Sequence, residues 1–383
     1  MKRSFTGVAM ITALVLVATA CSGDDEADDP IRVGSINGIT GLFRTPEVPQ
    51  AVRAVFDEVN RAGGINGRRL ELVSEDDAMD PRRASEAALK LLETQDVVAL
   101  VGSSSAVECG VNHVTYSETG VVSIPAVGVD LACFTSPNIA PVNPGPFRLL
   151  TAMLYYASET LRHDKVCLYY TVLPDSGGGV DTAVKEWGDL TGKRLTVKHT
   201  SAREGDPTPH LLAAKAAGCQ AILHNATAGP WLSQAQAQGM IDIDFVMGAH
   251  TYTEANAEVV PEGVKVYAGT EWQPYTDHTL PGNDRWAKVV DGKTIKRTAF
   301  SQGAVMAADL FVRVLKGIKG EITRESVTQA FKTMEPIHYP MAANPWVFGP
   351  DEEHSPIRGS RFVTVENHRW KVAPQGFVVP GGR

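Results

Sequence analysis

The chain of 383 residues has no excess of basic residues and only five cysteines. Lys and Arg number 36 against 44 Asp and Glu, which gives a formal net charge of -8. Nucleic-acid binding depends on basic side chains that neutralise phosphates, so the sequence predicts no nucleic-acid partner. Hydrophobic residues make up 43% of the chain, and this composition is typical of a globular protein and not of a disordered one.

The sequence also lacks the common motifs of catalytic and metal sites. Residues 102–106 miss the second glycine of the Gly-x-Ser-x-Gly elbow that presents a catalytic serine. The Gly-Lys-Thr at 292–294 misses the first glycine of a phosphate-binding loop, and the glycines of residues 34–41 do not match the dinucleotide-binding pattern. No His-Glu-x-x-His is present. We therefore predict that the protein is not an enzyme and uses no metal or other cofactor.

The first thirty residues have the pattern of an export signal followed by a tether. Two basic residues precede an apolar run over residues 8–20, which is shorter than the roughly 20 residues that span a bilayer. Small residues before Cys21 resemble a bacterial lipobox. We therefore predict a lipoprotein signal peptide over residues 1–20, lipidation at Cys21, and an acidic tether over 21–30 of a protein anchored outside the cytoplasm. A plain secretory signal, with Cys21 incidental, is the alternative.

Strand and helix patterns then alternate in two series. Alternating β-branched residues predict a strand over 31–36, and apolar residues three and four apart predict an amphipathic helix over 50–61. A second series begins with a strand over 165–171 and continues to a strand over 245–247. Two such series predict an α/β fold of two doubly wound, Rossmann-like lobes with parallel sheets. Ligands of these sheets bind beyond the carboxyl ends of the strands, so a cleft between the lobes is expected.

Several residues of the first series resemble those of one known family. The segments that carry the likeness are, in chain order, Thr40-Gly41, Glu58–Arg68, Asp76-Asp77, residues 101–104 and residues 122–125. This order is similar to the start of the type I periplasmic binding proteins of the leucine/isoleucine/valine-binding family, which are substrate-binding subunits of ABC importers. The resemblance is strong over 31–130 and loose beyond.

The resemblance implies two lobes that are joined by three crossovers and close on a ligand by hinge motion. Lobe 1 would comprise residues 31–148 and 274–345, and lobe 2 would comprise residues 149–273 and 346–383. We accordingly predict a solute-binding subunit of an ABC importer, with a small organic molecule and the permease subunits as partners. A ligand-binding sensor subunit with the same fold is the alternative.

The resemblance also implies two ligand-binding loops in lobe 1. The first loop, which binds a carboxylate in the family, corresponds to Ser103, Ser104 and Ser105. Hydroxyl residues before a helix offer free donors and the positive end of the helix dipole, although serine is also a preferred helix cap. The second loop corresponds to Ala126, Val127 and Gly128, where glycine replaces the hydroxyl residue that the family often carries. Only backbone donors therefore remain in the second loop.

In lobe 2 the sequence departs from the family pattern. Asp175, which follows the first strand of this lobe, is a ligand-binding candidate, but the Tyr that often follows such an Asp in the family is missing, and His250, a second candidate, stands where the acidic partner of an α-amino group would fall. Because a histidine is a poor partner for an ammonium group at pH 7, we predict a carboxylate or an amide instead of a standard branched-chain amino acid. A loop histidine bonded to backbone is the alternative for His250. Further candidates for the walls of the cleft are Phe43, Thr227, Trp231 and Trp272. For the three aromatic residues, the alternative is a place in the hydrophobic core.

Export permits disulfides, and four cysteines remain apart from Cys21. None of them lies in a Cys-x-x-Cys motif, so a zinc ribbon or a thioredoxin-like site is not predicted. Three pairings are possible. In the lobes that the resemblance implies, Cys109 and Cys133 both follow cleft loops, and Cys167 and Cys219 lie near the starts of neighbouring strands. This placement favours the pairs Cys109–Cys133 and Cys167–Cys219.

Overall fold

The computed structural model describes Met1 and residues 29–41, 44–172, 177–277, 279–354 and 356–382. Three predicted functional residues, Cys21, Phe43 and Asp175, lie outside the described residues, as does almost all of the predicted signal peptide. The described helices include none that is both long and apolar enough to cross a membrane.

The first sheet follows the first strand–helix series of the sequence. Its strands are β1 (Ile31–Asn37), β2 (Leu70–Asp76), β3 (Leu100–Val101) and β4 (Ser123–Ile124), and its helices are α1 (Glu47–Arg61), α2 (Pro81–Leu89) and α3 (Glu108–Thr119). The strands are parallel in the order β2-β1-β3-β4. Helix α1 buries the predicted apolar face, and Asp80 caps α2 by accepting hydrogen bonds from the backbone of Arg82 and Arg83.

The second sheet has seven strands. These are β5 (Val166–Thr171), β6 (Val197–Ser201), β7 (Ala221–His224), β8 (Asp244–Met247), β9 (Lys265–Thr270), β10 (Arg361–Glu366) and β11 (Arg369–Val372). The order is β6-β5-β7-β8-β9-β10-β11, and only the last two strands run antiparallel to their neighbours. Its helices are α4 (Gly145–Tyr155), α5 (Gly177–Thr191), α6 (Thr208–Ala217), α7 (Ala228–Ala237) and α8 (Glu254–Glu258). Both sheets therefore show the doubly wound arrangement, and the predicted fold class is confirmed.

Three later helices return to the first sheet: α9 (Asp284–Val290), α10 (Ala299–Leu315) and α11 (Arg324–Lys332). Arg285 in α9 forms ion pairs with Glu58 of α1 and Asp309 of α10, each at 2.7 Å. A capping box between Thr298 and Ser301 fixes the start of α10. These contacts join the C-terminal helices to the helical layer of the first sheet.

Some elements differ in length from the sequence prediction. The sequence predicts strands over 97–101 and 121–125, but β3 and β4 span only two residues each. Beyond these short strands, the neighbouring chain segments remain joined by backbone hydrogen bonds, for example from Val98 N to Arg32 O. The run of glycines at 177–179 predicts a turn between β5 and the next helix, but these residues form the first turn of α5. A Cβ atom on Gly179 would lie 2.6 Å from the ring of Phe147, so this close approach to α4 requires glycine.

Segments 125–144, 271–283 and 333–360, which we call the crossing segments, connect the first-sheet part of the chain to the second sheet. Hydrogen bonds join them to each other. Trp272 Nε1 donates to Val142 O at 3.1 Å, Gln273 N donates to Met341 O at 3.0 Å, and Trp346 Nε1 donates to Pro141 O at 3.0 Å. The carboxyl ends of both sheets consequently lie near these segments.

Two disulfides are present, and they are the two pairs favoured in the sequence analysis. Cys109 in α3 is bonded to Cys133, which follows β4. Cys167 in β5 is bonded to Cys219, which precedes β7. Since β5 and β7 are neighbours in the sheet, the second bond links adjacent strands at their starts.

Candidate ligand-binding site

A cavity of about 480 Å³ lies at the carboxyl ends of strands from both sheets, next to the crossing segments. This volume is in the usual range for small-molecule sites. Most of its wall is apolar. The lining residues are Met79, Ala106, Val127, Gly128, Val129, Pro146, Leu149, Tyr170, Thr171, Val172, Ala202, Glu204, Asn225, Gly248, Ala249, His250, Glu271, Ala299 and Phe300.

Three of the predicted site residues line this cavity. Val127 and Gly128 line it from the loop after β4, and His250 lines it from the loop after β8, with its side chain exposed. Ala126 is fully buried and is not among the lining residues. Thr227 lies outside the wall but contacts it, because its backbone N and Oγ1 donate to the carboxylate of Glu204 at 2.7 and 3.0 Å.

The three predicted serines are not among the residues that line the cavity. All three are buried, with at most 4% of the residue exposed. Their hydroxyl groups are occupied inside the protein, and Ser105 caps the region before α3 as the alternative interpretation stated. The bonds are Ile36 N to Ser103 Oγ at 3.1 Å, Ser104 Oγ to Asn37 Oδ1 at 2.8 Å, Ser105 Oγ to the carboxylate of Asp77, and Glu108 N to Ser105 Oγ at 2.9 Å.

Five of the six backbone N–H groups of the two loops also donate within the protein. The N–H groups of Ser104 and Ser105 both donate to Ile36 O, and those of Ala126 and Val127 both donate to Ser103 O. The N–H of Gly128 donates to Asn143 Oδ1 at 2.8 Å. A carboxylate bound at these loops would have to displace these bonds. Five of the donors that these loops would offer a carboxylate are therefore engaged within the protein in this structure.

The two predicted wall tryptophans are core residues, as the alternative interpretation stated. Trp231 is 4% exposed and stacks on the ring of His224, with ring centroids 4.6 Å apart. Trp272 is 1% exposed and donates its indole N–H to the crossing segment that contains Val142. Neither side chain lines the cavity.

Glu271 is a site residue that the sequence analysis missed. It directly follows β9, lines the cavity and is buried. Its Oε1 accepts a hydrogen bond from Asn143 Nδ2 at 2.6 Å. Burial raises the pKa of this carboxyl from 4.5 to about 7, and the hydrogen bond from Asn143 only partly opposes the effect. An acidic residue at the carboxyl end of a parallel strand was the signal in the sequence that indicated its position.

Two further polar residues, Asn225 and Glu204, were also missed. Asn225 exchanges two hydrogen bonds of 2.7 Å with the backbone of Thr171, which fixes the ends of β5 and β7 against each other. Glu204 is exposed and lines the cavity from the loop after β6. Among the described lining residues, the acidic and basic side chains are two glutamates and one histidine, and none is Lys or Arg. No group of three or more potential metal ligands occurs in the described part of the chain.

Comparison with known proteins gives one family. The model of the family described as "Periplasmic binding protein" matches residues 30–369. A protein from Brucella abortus (strain 2308) named "Leu/Ile/Val-binding protein homolog 2" is 26% identical over 236 residues, which cover 58% of this chain and 59% of that protein. The matches span about 60% of the length of the first curated relatives.

Solved structures with the same fold cover nearly the whole chain. A branched-chain amino acid ABC transporter protein from Thermus thermophilus with bound valine has a TM-score of 0.76 at 15% identity, covering 92% of this chain and 97% of that chain. A solute-binding protein from R. palustris in complex with 4-hydroxybenzoate has a TM-score of 0.74 at 17% identity, covering 92% and 98%. At these identities the likeness concerns the fold.

Proposed function

Because this chain belongs to the periplasmic binding protein family, we propose that it is the solute-binding subunit of an ABC importer and acts outside the cytoplasm without a chemical step. The resemblance over residues 31–130 to the leucine/isoleucine/valine-binding group is confirmed by the family match and the curated relatives. The cavity at the carboxyl ends of both sheets is the observation that carries the proposal. Ligands of doubly wound sheets bind at this place.

We further propose that the molecule closes on its ligand as two lobes. Residues 31–148 and 274–345 would form lobe 1, and residues 149–273 and 346–383 would form lobe 2. The crossing segments would bend between them, and a ligand would shift an existing equilibrium toward the closed form. Small-angle X-ray scattering with and without bound solute tests this, since closure lowers the radius of gyration.

The ligand is proposed to be a small organic solute other than a standard branched-chain amino acid. Five of the six backbone N–H groups of the loops that would hold the carboxylate donate within the protein, and His250 occupies the predicted position of the acidic partner. Structures with this fold include one that binds valine and one that binds 4-hydroxybenzoate, so the fold itself does not determine the ligand.

The test of importer function starts from the solute itself. The chain is purified from its native host without refolding, unfolded, and the released small molecules are identified by mass spectrometry. Uptake of the identified solute is then measured in cells with and without the gene. Loss of uptake supports the importer. Binding that persists while uptake is unchanged would favour the sensor alternative, and absence of any bound or binding solute would contradict both.

Membrane attachment through Cys21 is a separate proposal. A Cys21→Ala chain should appear in the soluble extracytoplasmic fraction, whereas the unchanged chain should sediment with membranes. Equal sedimentation of both chains would contradict the lipid anchor and leave solute binding untouched.

A further inference from the structure

We propose that the solute is an apolar amine without a carboxylate group and that Glu271 pairs with its ammonium nitrogen. The inference rests on the proposed function, because it requires that the cavity binds the solute. It differs from the expectation of a carboxylate or an amide in the sequence analysis. Three features of the cavity carry it: the sign of its charges, the use of its backbone donors, and the burial of Glu271.

The charges at the cavity favour a cation. Glu204 and Glu271 both line it, and no Lys or Arg is found among the described lining residues. A carboxylate ligand would meet the charge of Glu204 and would keep Glu271 protonated, whereas an ammonium group would be attracted to Glu204 and would favour the charged form of Glu271. The cavity should therefore bind an ammonium group more tightly than a carboxylate.

Most of the neutral donors of the two predicted loops are already occupied. Backbone N–H groups at both loops donate to carbonyl oxygens or to Asn143. The serine hydroxyls lie behind the wall and bond within the protein. A bound carboxylate would therefore lose its hydration shell without gaining these donors, which is unfavourable.

Glu271 is positioned to receive a cation. It is 6% exposed, and the only hydrogen-bond partner of its carboxyl among the described residues is Asn143 Nδ2. A carboxylate has room for several donors, so one partner leaves acceptor capacity directed at the cavity it lines. Burial without a cation disfavours the charged form, and its raised pKa agrees with that. A ligand ammonium would supply the missing positive charge.

The rest of the wall suits the hydrocarbon part of such an amine. Val127, Val129, Leu149 and Val172 contribute aliphatic surface. Tyr170 and Phe300 also line the cavity, and aromatic rings attract cations as well as apolar groups. The volume of about 480 Å³ accommodates an amine with a branched aliphatic or a single aromatic group.

Two series of matched probes test the proposal by calorimetric titration of the full chain. The first is isopentylamine, leucine and 4-methylpentanoate, and the second is 2-phenylethylamine, phenylalanine and 3-phenylpropionate. Each series keeps the hydrocarbon part and changes only the amine and the carboxylate. We expect at least one of the amines to bind, and the matching amino acid and acid to bind at least about tenfold more weakly.

Three variants connect binding to the residue and to the cavity. Glu271→Gln keeps an acceptor for Asn143 but removes the charge, and it should weaken amine binding by about 30-fold or more. Glu108→Gln is the matched control, because Glu108 is equally buried but does not line the cavity, and amine affinity should change by less than about twofold. Ala249→Trp fills the cavity and should abolish binding.

The outcomes separate the inference from the proposed function. Equal or tighter binding of an amino acid or acid, abolished by Ala249→Trp, would overturn the amine and leave solute binding in this cavity standing. Amine binding that survives Glu271→Gln unchanged would overturn the role of Glu271. Binding of no probe would overturn the amine, and the cavity as a solute site would then be tested by titrating the native solute into the unchanged chain and into Ala249→Trp.

Discussion

The side-chain amide of Asn143 holds the carboxyl of Glu271 and the backbone of Gly128 at the same time. Nδ2 donates to Glu271 Oε1 at 2.6 Å and to Gly128 O at 3.0 Å, while Oδ1 accepts from Gly128 N at 2.8 Å. Asn143 is buried and belongs to one crossing segment, and Glu271 belongs to another. One side chain therefore connects two crossing segments to the wall of the cavity.

Replacing Asn143 should weaken both the fold and ligand binding. Asn143→Ala leaves the N–H and C=O of Gly128 and the carboxyl of Glu271 without this partner, so we expect a loss of about 2–4 kcal/mol in the free energy of unfolding. Denaturation in urea at pH 7 measures it, and calorimetric titration with the native solute measures binding.

A second asparagine provides the control for this change. Asn60 holds the N–H and C=O of Leu70 in the same two-bond manner, at 2.8 and 2.9 Å, in the first sheet away from the cavity. Asn60→Ala should reduce stability but not solute affinity. If both variants bind equally well, Asn143 has no specific part in the site.

Glu271 should make the protein less stable as the pH rises. The folded state keeps its proton up to about pH 7, whereas the unfolded chain releases it near 4.5. The folded state thus binds more protons between these values, and the contribution is full below pH 4.5 and is lost as the pH rises through 7. Glu271→Gln should therefore be more stable than the wild-type chain at pH 8 by on the order of 3 kcal/mol, with little difference near pH 4.5.

Urea denaturation at pH 5 and pH 8 checks this dependence. Burial also raises the pKa of Glu108 to about 7, although Tyr116 donates a hydrogen bond to it at 2.8 Å. Glu108→Gln should therefore also gain stability relative to the wild-type chain as the pH rises. Exposed Glu352→Gln should leave the difference between the two pH values unchanged. A Glu271→Gln chain that loses as much stability as the wild-type chain between pH 5 and 8 would contradict the prediction.

The sequence determined the architecture better than the site, for a physical reason. Periodic apolar residues identified β1 and α1, because each residue contributes to a pattern that repeats along the element. Site geometry depends on contacts between distant residues. Nothing near Ser103 in sequence shows that its hydroxyl accepts from Ile36 N, and nothing near Glu271 shows that Asn143, 128 positions away, donates to it.

Both disulfides should stabilise the chain, and the one in the second sheet should do so more. Cys167 and Cys219 are 52 residues apart, whereas Cys109 and Cys133 are 24 apart. A longer closed loop restricts the unfolded chain more, so the double serine variant at 167 and 219 should lose about 0.7 kcal/mol more than the one at 109 and 133, from a loss of about 3–4 kcal/mol each. Urea denaturation of the oxidised proteins measures both losses. The reverse order would show that effects in the folded state outweigh loop closure.

The hydroxyl residue that the family often carries at Gly128 should not restore carboxylate binding here. A Cβ atom at Gly128 would lie 2.6 Å from Pro141 Cγ and 3.0 Å from Phe134 Cζ, so Gly128→Ser forces the crossing segment to move. We expect a loss of about 1–3 kcal/mol in stability and no binding of 4-methylpentanoate, because the added hydroxyl comes with a displaced loop. Thermal unfolding and calorimetric titration measure the two effects.

Gly229→Ser is the matched control for this substitution, since a Cβ at Gly229 meets no atom within 4 Å. It should change stability by less than about 0.5 kcal/mol. If Gly128→Ser instead binds 4-methylpentanoate tightly and is as stable as the control, Pro141 must move at little energetic cost. The absence of a hydroxyl, and not the occupied backbone donors and the two glutamates, would then be what excludes carboxylates from the cavity.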